Sequence, residues 1–126
     1  MPVATMTETV PLPAADVLER LGLSENDFDA HHHLCDAQRW SPALMQALAQ
    51  SADVPLTDEL TWLVNWVREY HLSYGNPPLM RTLVSALRAE RQDPSLGSRA
   101  IYAIHPTHPV RMACCLGGLP RPEWCI

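Results

Sequence analysis

Apolar side chains recur at three- and four-residue steps from Leu60 through Leu63, Val64 and Val67 to Tyr70 and Tyr74. A run of about eighteen residues with that spacing predicts the central helix of the fold. Thr57 stands ready to cap it, and Asp58 and Glu59 suit the positive end of its dipole. Trp62 and Trp66 lie one turn apart and are read as packing in the core or sealing its edge. Shorter helical patterns flank this element. Ala14, Val17, Leu18 and Leu21 run up to a stop at Gly22, and Ser41-Pro42 opens a helix whose buried stripe is Ala43, Leu44, Ala47 and Leu48. Gly75-Asn76-Pro77-Pro78 is a breaker, after which Met80, Leu83, Val84 and Leu87 turn inward with Arg81, Arg88 and Arg91 on other faces. A polar loop follows at 92–98, then a short helix or turn at 99–104. Thr107 is predicted to cap a last helix with Pro109 in its first turn, leading through Val110, Met112 and Ala113 to Cys114.

Two stretches break the helical period. Between Asn26 and Asp36, Phe28 and Leu34 alternate with Asp and Asn, which predicts a small β-hairpin. The run His31-His32-His33 falls in it. On a strand only His31 and His33 share a face and an ion, and a solvated turn is the preferred reading. The other stretch is the end of the chain. Two glycines and two prolines between Gly117 and Pro122 cannot continue a helix, so residues 116–126 form a flexible arm. Residues 1–12 carry no period and are read as a loose lead. The expected architecture is mainly α (α+β): one domain over 1–126, a compact helical bundle with a small N-terminal β-hairpin and a flexible C-terminal arm.

Composition narrows the function. The formal net charge is −5, and all nine basic residues are arginine. A duplex-binding protein normally gathers a basic face to neutralise phosphates, so nucleic acid is not the expected partner. No apolar run reaches the roughly 20 residues that cross a bilayer, and no export signal opens the chain, so a cytoplasmic protein without direct membrane insertion is expected. Its four cysteines, Cys35, Cys114, Cys115 and Cys125, are then reduced thiols. They include no Cys-x-x-Cys pair, and neither a metal nor a cofactor is expected.

The arm carries the chemistry. Cys125 is penultimate, a position seldom buried, and Cys114 lies eleven residues upstream where the last helix stops. A thiolate attacks sulfur in persulfides and disulfides at a rate set by its ionisation and access. The terminal carboxylate works against ionisation of Cys125, and Arg121 and Arg111 are the nearest cations in sequence. The chain between Cys114 and Cys125 can fold back to the roughly 7 Å that a disulfide requires. Cys35 and Cys115 are read as ordinary buried cysteines. Composition and spacing alone leave sulfur carrier, redox sensor and metal donor open, and the helix pair around Gly75 also resembles a helix-turn-helix regulatory or nucleic-acid-binding module.

The segment Gly118-Leu119-Pro120-Arg121-Pro122-Glu123-Trp124-Cys125-Ile126 resembles the C-terminal signature of the DsrC/TusE family, a Gly-Leu-Pro-Lys-Pro stretch followed by a penultimate cysteine. The resemblance extends through Asp29 to Trp40, Leu56-Thr57-Asp58-Glu59, Arg68-Glu69-Tyr70, Tyr74-Gly75, Arg81-x-Leu83-Val84 and Ile104-His105-Pro106, covering roughly residues 27–126. Members with the penultimate cysteine alone resemble the branch that relays sulfur to tRNA wobble-uridine thiolation. A second cysteine eleven residues upstream, here Cys114, resembles the branch that presents sulfur as a persulfide or trisulfide to dissimilatory sulfite reductase. The resemblance implies Cys125 as carrier and Cys114 as resolving thiol of a protein co-substrate rather than an independent enzyme. It also implies as partners a dissimilatory sulfite reductase-like complex, sulfurtransferases of the sulfur relay and a membrane-bound thiol-disulfide oxidoreductase complex. The chain departs from the family pattern at His32 and His108, where the pattern has glycine, at His105, where it has an aromatic residue, at Ser85, where lysine is common, and in the added Cys115.

Overall fold

The computed structural model describes residues 9–122, folded as six α-helices: α1 (Ala15–Arg20), α2 (Pro42–Ser51), α3 (Asp58–Tyr74), α4 (Met80–Arg91), α5 (Ser98–Ile104) and α6 (Pro109–Leu116). The caps written in the sequence form as expected around α2 and α3. Ser41 Oγ accepts from the Leu44 amide at 3.2 Å, and Thr57 Oγ1 accepts from the Leu60 amide at 3.1 Å. Gly75 closes α3 at φ 80°, in the left-handed region that costs glycine least, and donates its amide to His71 O at 2.7 Å.

α3 is the axle of the core. Leu60, Leu63, Val64 and Val67 are at most 1% exposed, and α6 lies along this helix while α2 and α5 pack on α6 and α4 pairs with α5. Removing each such side chain from water contributes roughly 1.5–3 kcal/mol, so this stripe is the main force holding α3 centrally. The stripe stops earlier than its period implied. Tyr74 is 67% exposed, because Trp62, Trp66, Tyr70 and Tyr74 follow a separate i, i+4 line along the helix rim. Their rings run in succession with centroids 6.4, 5.4 and 4.5 Å apart, and Trp62 and Trp66 seal the core edge.

The expected β-hairpin is not there. Among the described residues no strand forms, and Phe28 and Leu34 make one isolated antiparallel bridge. The reason is local competition for donors. Asp29 Oδ1 accepts the amides of His31 at 2.8 Å and His33 at 3.0 Å, which diverts the groups a ladder would use and folds the segment into a tight loop. Phe28 and Leu34 still bury, as the alternation required. Short 3-10 turns at Glu25–Asp27 and Ala37–Arg39 complete this region. The start of the described chain is also tied down: Val10 is buried, and Ser51 Oγ donates to Pro11 O at 2.5 Å.

Two further corrections concern α6. Its N-cap is His108, at φ 49° and with no side-chain cap, where Thr107 was expected. At its other end the chain does not swing away at residue 116. Leu116, Gly117, Gly118 and Leu119 are buried, and the described chain stays on the body through a buried Pro122.

Candidate functional site

The root of the arm is built by a helix ending and three side chains. The Leu119 amide donates back to Cys114 O at 2.9 Å and the Gly118 amide to Cys115 O at 3.4 Å, the paired bonds of a Schellman ending with Gly118 at φ 71°. This geometry leaves the carbonyls of Leu116, Gly117 and Leu119 facing outward from the helix end, and each finds a donor. Trp40 Nε1–H donates to Leu116 O at 2.7 Å. Arg68 on α3 donates through Nη1 to Gly117 O at 2.8 Å and through Nη2 to Ala37 O at 3.1 Å, while its guanidinium lies 4.3 Å from the centroid of the Trp40 ring. His33 Nδ1–H donates to Leu119 O at 2.9 Å.

The histidine run therefore splits by task. His33 is 2% exposed and grips the arm root, His32 Nδ1 lies 2.7 Å from Val10 O, and His31 is exposed. Asp29 orders this loop: burial works against its charge, but the His33 and His31 amides outweigh that and hold the carboxyl below its ordinary value. His33 is shifted the other way from a surface imidazole. Burial pushes its pKa down, Leu119 O and Asp29 push it up, and Arg121 and His31 lower it again, the net result being a depressed value.

That shift has a sign for stability. A histidine whose pKa is depressed in the fold contributes stability that is present above 6.5, its ordinary value, and lost as pH falls below it. Acidification is therefore expected to lower the melting temperature. His33→Asn, which keeps a donor near the Nδ1 position, is expected to retain the Leu119 contact and flatten that response. His105 and His71, also depressed by burial, supply the remainder. An acid response in His33→Asn as steep as that of the unsubstituted chain contradicts the assignment.

Beside the arm root lies a cavity of about 410 Å³ between the segment around Val10 and one face of α6. His33, His105, His108, Arg111 and Cys115 line it. The thiols of α6 separate here. Cys114 is 0% exposed and belongs to the apolar core, whereas Cys115 is 2% exposed, lines the cavity and has its Sγ 3.8 Å from His32 O. Burial pushes both thiols up to about 12, assisted at Cys114 by the neighbouring Cys115 and at Cys115 by the Asp29 charge. Both are thus protonated at rest and protected from adventitious oxidation.

Of the residues expected to carry chemistry, Arg111 is 8% exposed on the cavity wall and Arg121 lies near enough to His33 to depress it. Cys125 lies outside the described residues. Cys35 is exposed, not buried, because the tight loop turns it outward. No group of three His, Cys, Asp or Glu residues able to hold a metal ion occurs among the described residues. Likewise no helix among them is long and apolar enough to cross a membrane. His33, Trp40 and Arg68 were not singled out as site residues in the sequence. Their position within stretches that resemble the family pattern was the available signal, but their partners lie 86, 76 and 49 residues away.

The last helix of a small helical body thus carries two buried thiols into a terminal segment fastened by Trp40, Arg68 and His33. The family model described as DsrC like protein matches residues 22–126, and the chain belongs to this DsrC/TusE family of sulfur carriers. Sulfurtransferase TusE of Pectobacterium atrosepticum is 33% identical over 98 residues, which cover 78% of this chain and 90% of that protein. Sulfurtransferase TusE of Escherichia coli is 29% identical over 102 residues, covering 81% and 94% respectively. Among solved structures, Allochromatium vinosum DsrC aligns with a TM-score of 0.67 at 28% identity, covering 79% of this chain and 88% of that one. The oxidized gamma-subunit of the dissimilatory sulfite reductase (DsrC) from Archaeoglobus fulgidus aligns with a TM-score of 0.61 at 29% identity, covering 75% and 86%.

Proposed function

We propose that this protein carries sulfur as a persulfide on Cys125 and exchanges it through a second thiol on α6, as a cytoplasmic co-substrate rather than an independent enzyme. The sulfur passes between sulfurtransferases and a dissimilatory sulfite reductase-type system, with a membrane-bound thiol-disulfide oxidoreductase complex as a further partner. The observation that carries this reading is the fastening of the arm root by Trp40, Arg68 and His33 immediately after the two thiols of α6. Such a root gives the last residues a defined point of departure and bounds the reach of Cys125, since the three residues from Pro122 to Cys125 span at most about 11 Å. The family's two-cysteine pattern, filled here by Cys114 and Cys125, supports the sulfite reductase side.

Incubation with a small persulfide donor is expected to add the mass of one sulfur atom to the protein. Cys125→Ser is expected to abolish that gain, and a gain retained in Cys125→Ser overturns the proposal. Relay toward tRNA thiolation is the second reading, favoured by the similarity to the TusE proteins and by the burial of Cys114. A chain lacking both α6 thiols that still passes its sulfur onward undiminished selects this second reading. A helix-turn-helix role has less to draw on, since Arg88 donates to Leu96 O at 2.6 Å and Arg91 pairs with Glu59 at 2.6 Å.

A further inference from the structure

The described chain begins at Thr9, whereas the family match begins at residue 22, so residues 9–13 lie outside the shared pattern. These five residues carry no charge and include Pro11 and Pro13, which leaves them few backbone donors and no means to pair as a regular strand. Side chains hold them instead. Val10 is 6% exposed and Leu12 packs against the core. His32 Nδ1–H donates to Val10 O at 2.7 Å, and Ser51 Oγ donates to Pro11 O at 2.5 Å. Among the described residues no other hydrogen bond holds this segment.

The segment covers the cavity of about 410 Å³. Thr9, Val10 and Pro11 form part of its wall, and Cys115 on α6 lines the same space while only 2% exposed. His32 joins the two. Its ring holds Val10 O, and its own carbonyl lies 3.8 Å from Cys115 Sγ as the acceptor of that thiol. The loop fixes His32 in turn, since its amide donates to Asp29 O at 2.9 Å and Asp29 Oδ1 takes the amides on either side. Lifting residues 9–13 therefore costs two side-chain hydrogen bonds and the burial of Val10, and it opens the space that Cys115 faces. Exposing Cys114 takes far more. That thiol belongs to the core cluster with Leu63, Val67 and Val110, so the helices themselves have to part.

We propose that residues 9–13 are a strap that gates the cavity, latched by His32 and Ser51, and that its opening sets the rate at which small thiol-directed molecules reach Cys115. The strap controls Cys115 whether or not Cys125 carries sulfur, so the inference goes beyond the carrier reading and does not depend on it. Openings that break few contacts occur far more often than global unfolding, which makes such a gate usable in the native state. Closed, the strap keeps a protonated thiol covered. Open, it admits water, and the ionisation of Cys115 returns toward that of a solvated thiol.

The test pulses the full chain with N-ethylmaleimide, quenches and digests it, and reads the adduct on each cysteine by mass spectrometry, with fragmentation between Cys114 and Cys115. His32→Gly removes one latch and suits the left-handed backbone at φ 65°, and Ser51→Ala removes the other. Each is expected to raise the Cys115 labelling rate about fivefold, the equivalent of one lost hydrogen bond, and the double variant is expected to raise it further. Labelling of Cys114 and of the exposed Cys35 is expected to stay unchanged. Unchanged Cys115 labelling in the double variant overturns the proposal, as does a rise shared equally by Cys114, which means that the whole body has loosened. A second measurement needs no substitution. At low urea concentrations Cys115 labelling in the parent chain is expected to rise with a shallower slope than Cys114 labelling, because lifting the strap exposes less surface than parting the helices. Equal slopes overturn the proposal.

Discussion

Gly118→Ala is expected to destabilise the protein by roughly 3 kcal/mol and to lower its melting temperature by about 10 °C. Two costs combine. At φ 71° an added Cβ lies in the left-handed region, which costs an L side chain about 1 kcal/mol or more. The same Cβ lies 2.7 Å from both Cβ and Cδ1 of Trp40, so either the indole or the arm root has to move. If the indole moves, its hydrogen bond to Leu116 O is lost as well. Gly75→Ala isolates the first cost, because Gly75 sits at φ 80° with open space where its Cβ would be; about 1 kcal/mol is expected there. Equal losses in the two variants, measured by denaturant unfolding, contradict the role given to Trp40.

Arg68→Ala comes next, with an expected loss of about 2–3 kcal/mol. It removes donors from Gly117 O and Ala37 O and the cation from the Trp40 ring in one step. Water reaches part of this site, which keeps the loss below the sum for a fully buried charge. Arg68→Lys is expected to recover less than half of it, since one ammonium cannot span two carbonyls and lie flat on an indole together. The urea midpoint should fall with an unchanged slope, and amide exchange should accelerate most at Gly118 and Leu119, whose donors close the helix end. A variant as stable as the parent, with those amides still protected, means that Trp40 and His33 hold the root alone.

The histidines show where local reading fails. His32 and His108 stand where the family pattern has glycine, and both adopt positive φ, 65° and 49°. That departure was visible in the sequence, but nothing local indicated that His32 reaches Val10 or that His33 reaches Leu119. The hairpin failed for a related reason. The Phe28 and Leu34 alternation correctly marked two buried positions, while the Asp29 carboxylate took the amides that a second pair of bridges needed. Cys35 followed the loop outward against the usual preference of its residue type.

The sequence by itself determined the helices, the caps of α2 and α3 and the stop after α6, because each depends on neighbours within about four residues: an apolar stripe, a hydroxyl before a first turn, a glycine after a last one. It also raised the expectation that thiol chemistry belongs at the end of the chain, through the spacing of Cys114 and Cys125 and the family signature around them. Only the tertiary structure decided that the arm stays on the body through Pro122, and that Cys114 faces the core while Cys115 faces a cavity. Those outcomes depend on which residues from distant segments, Trp40, Arg68 and His33, arrive beside the end of α6. A single residue of rotation on a helix then separates a thiol packed in the core from one that lines a cavity.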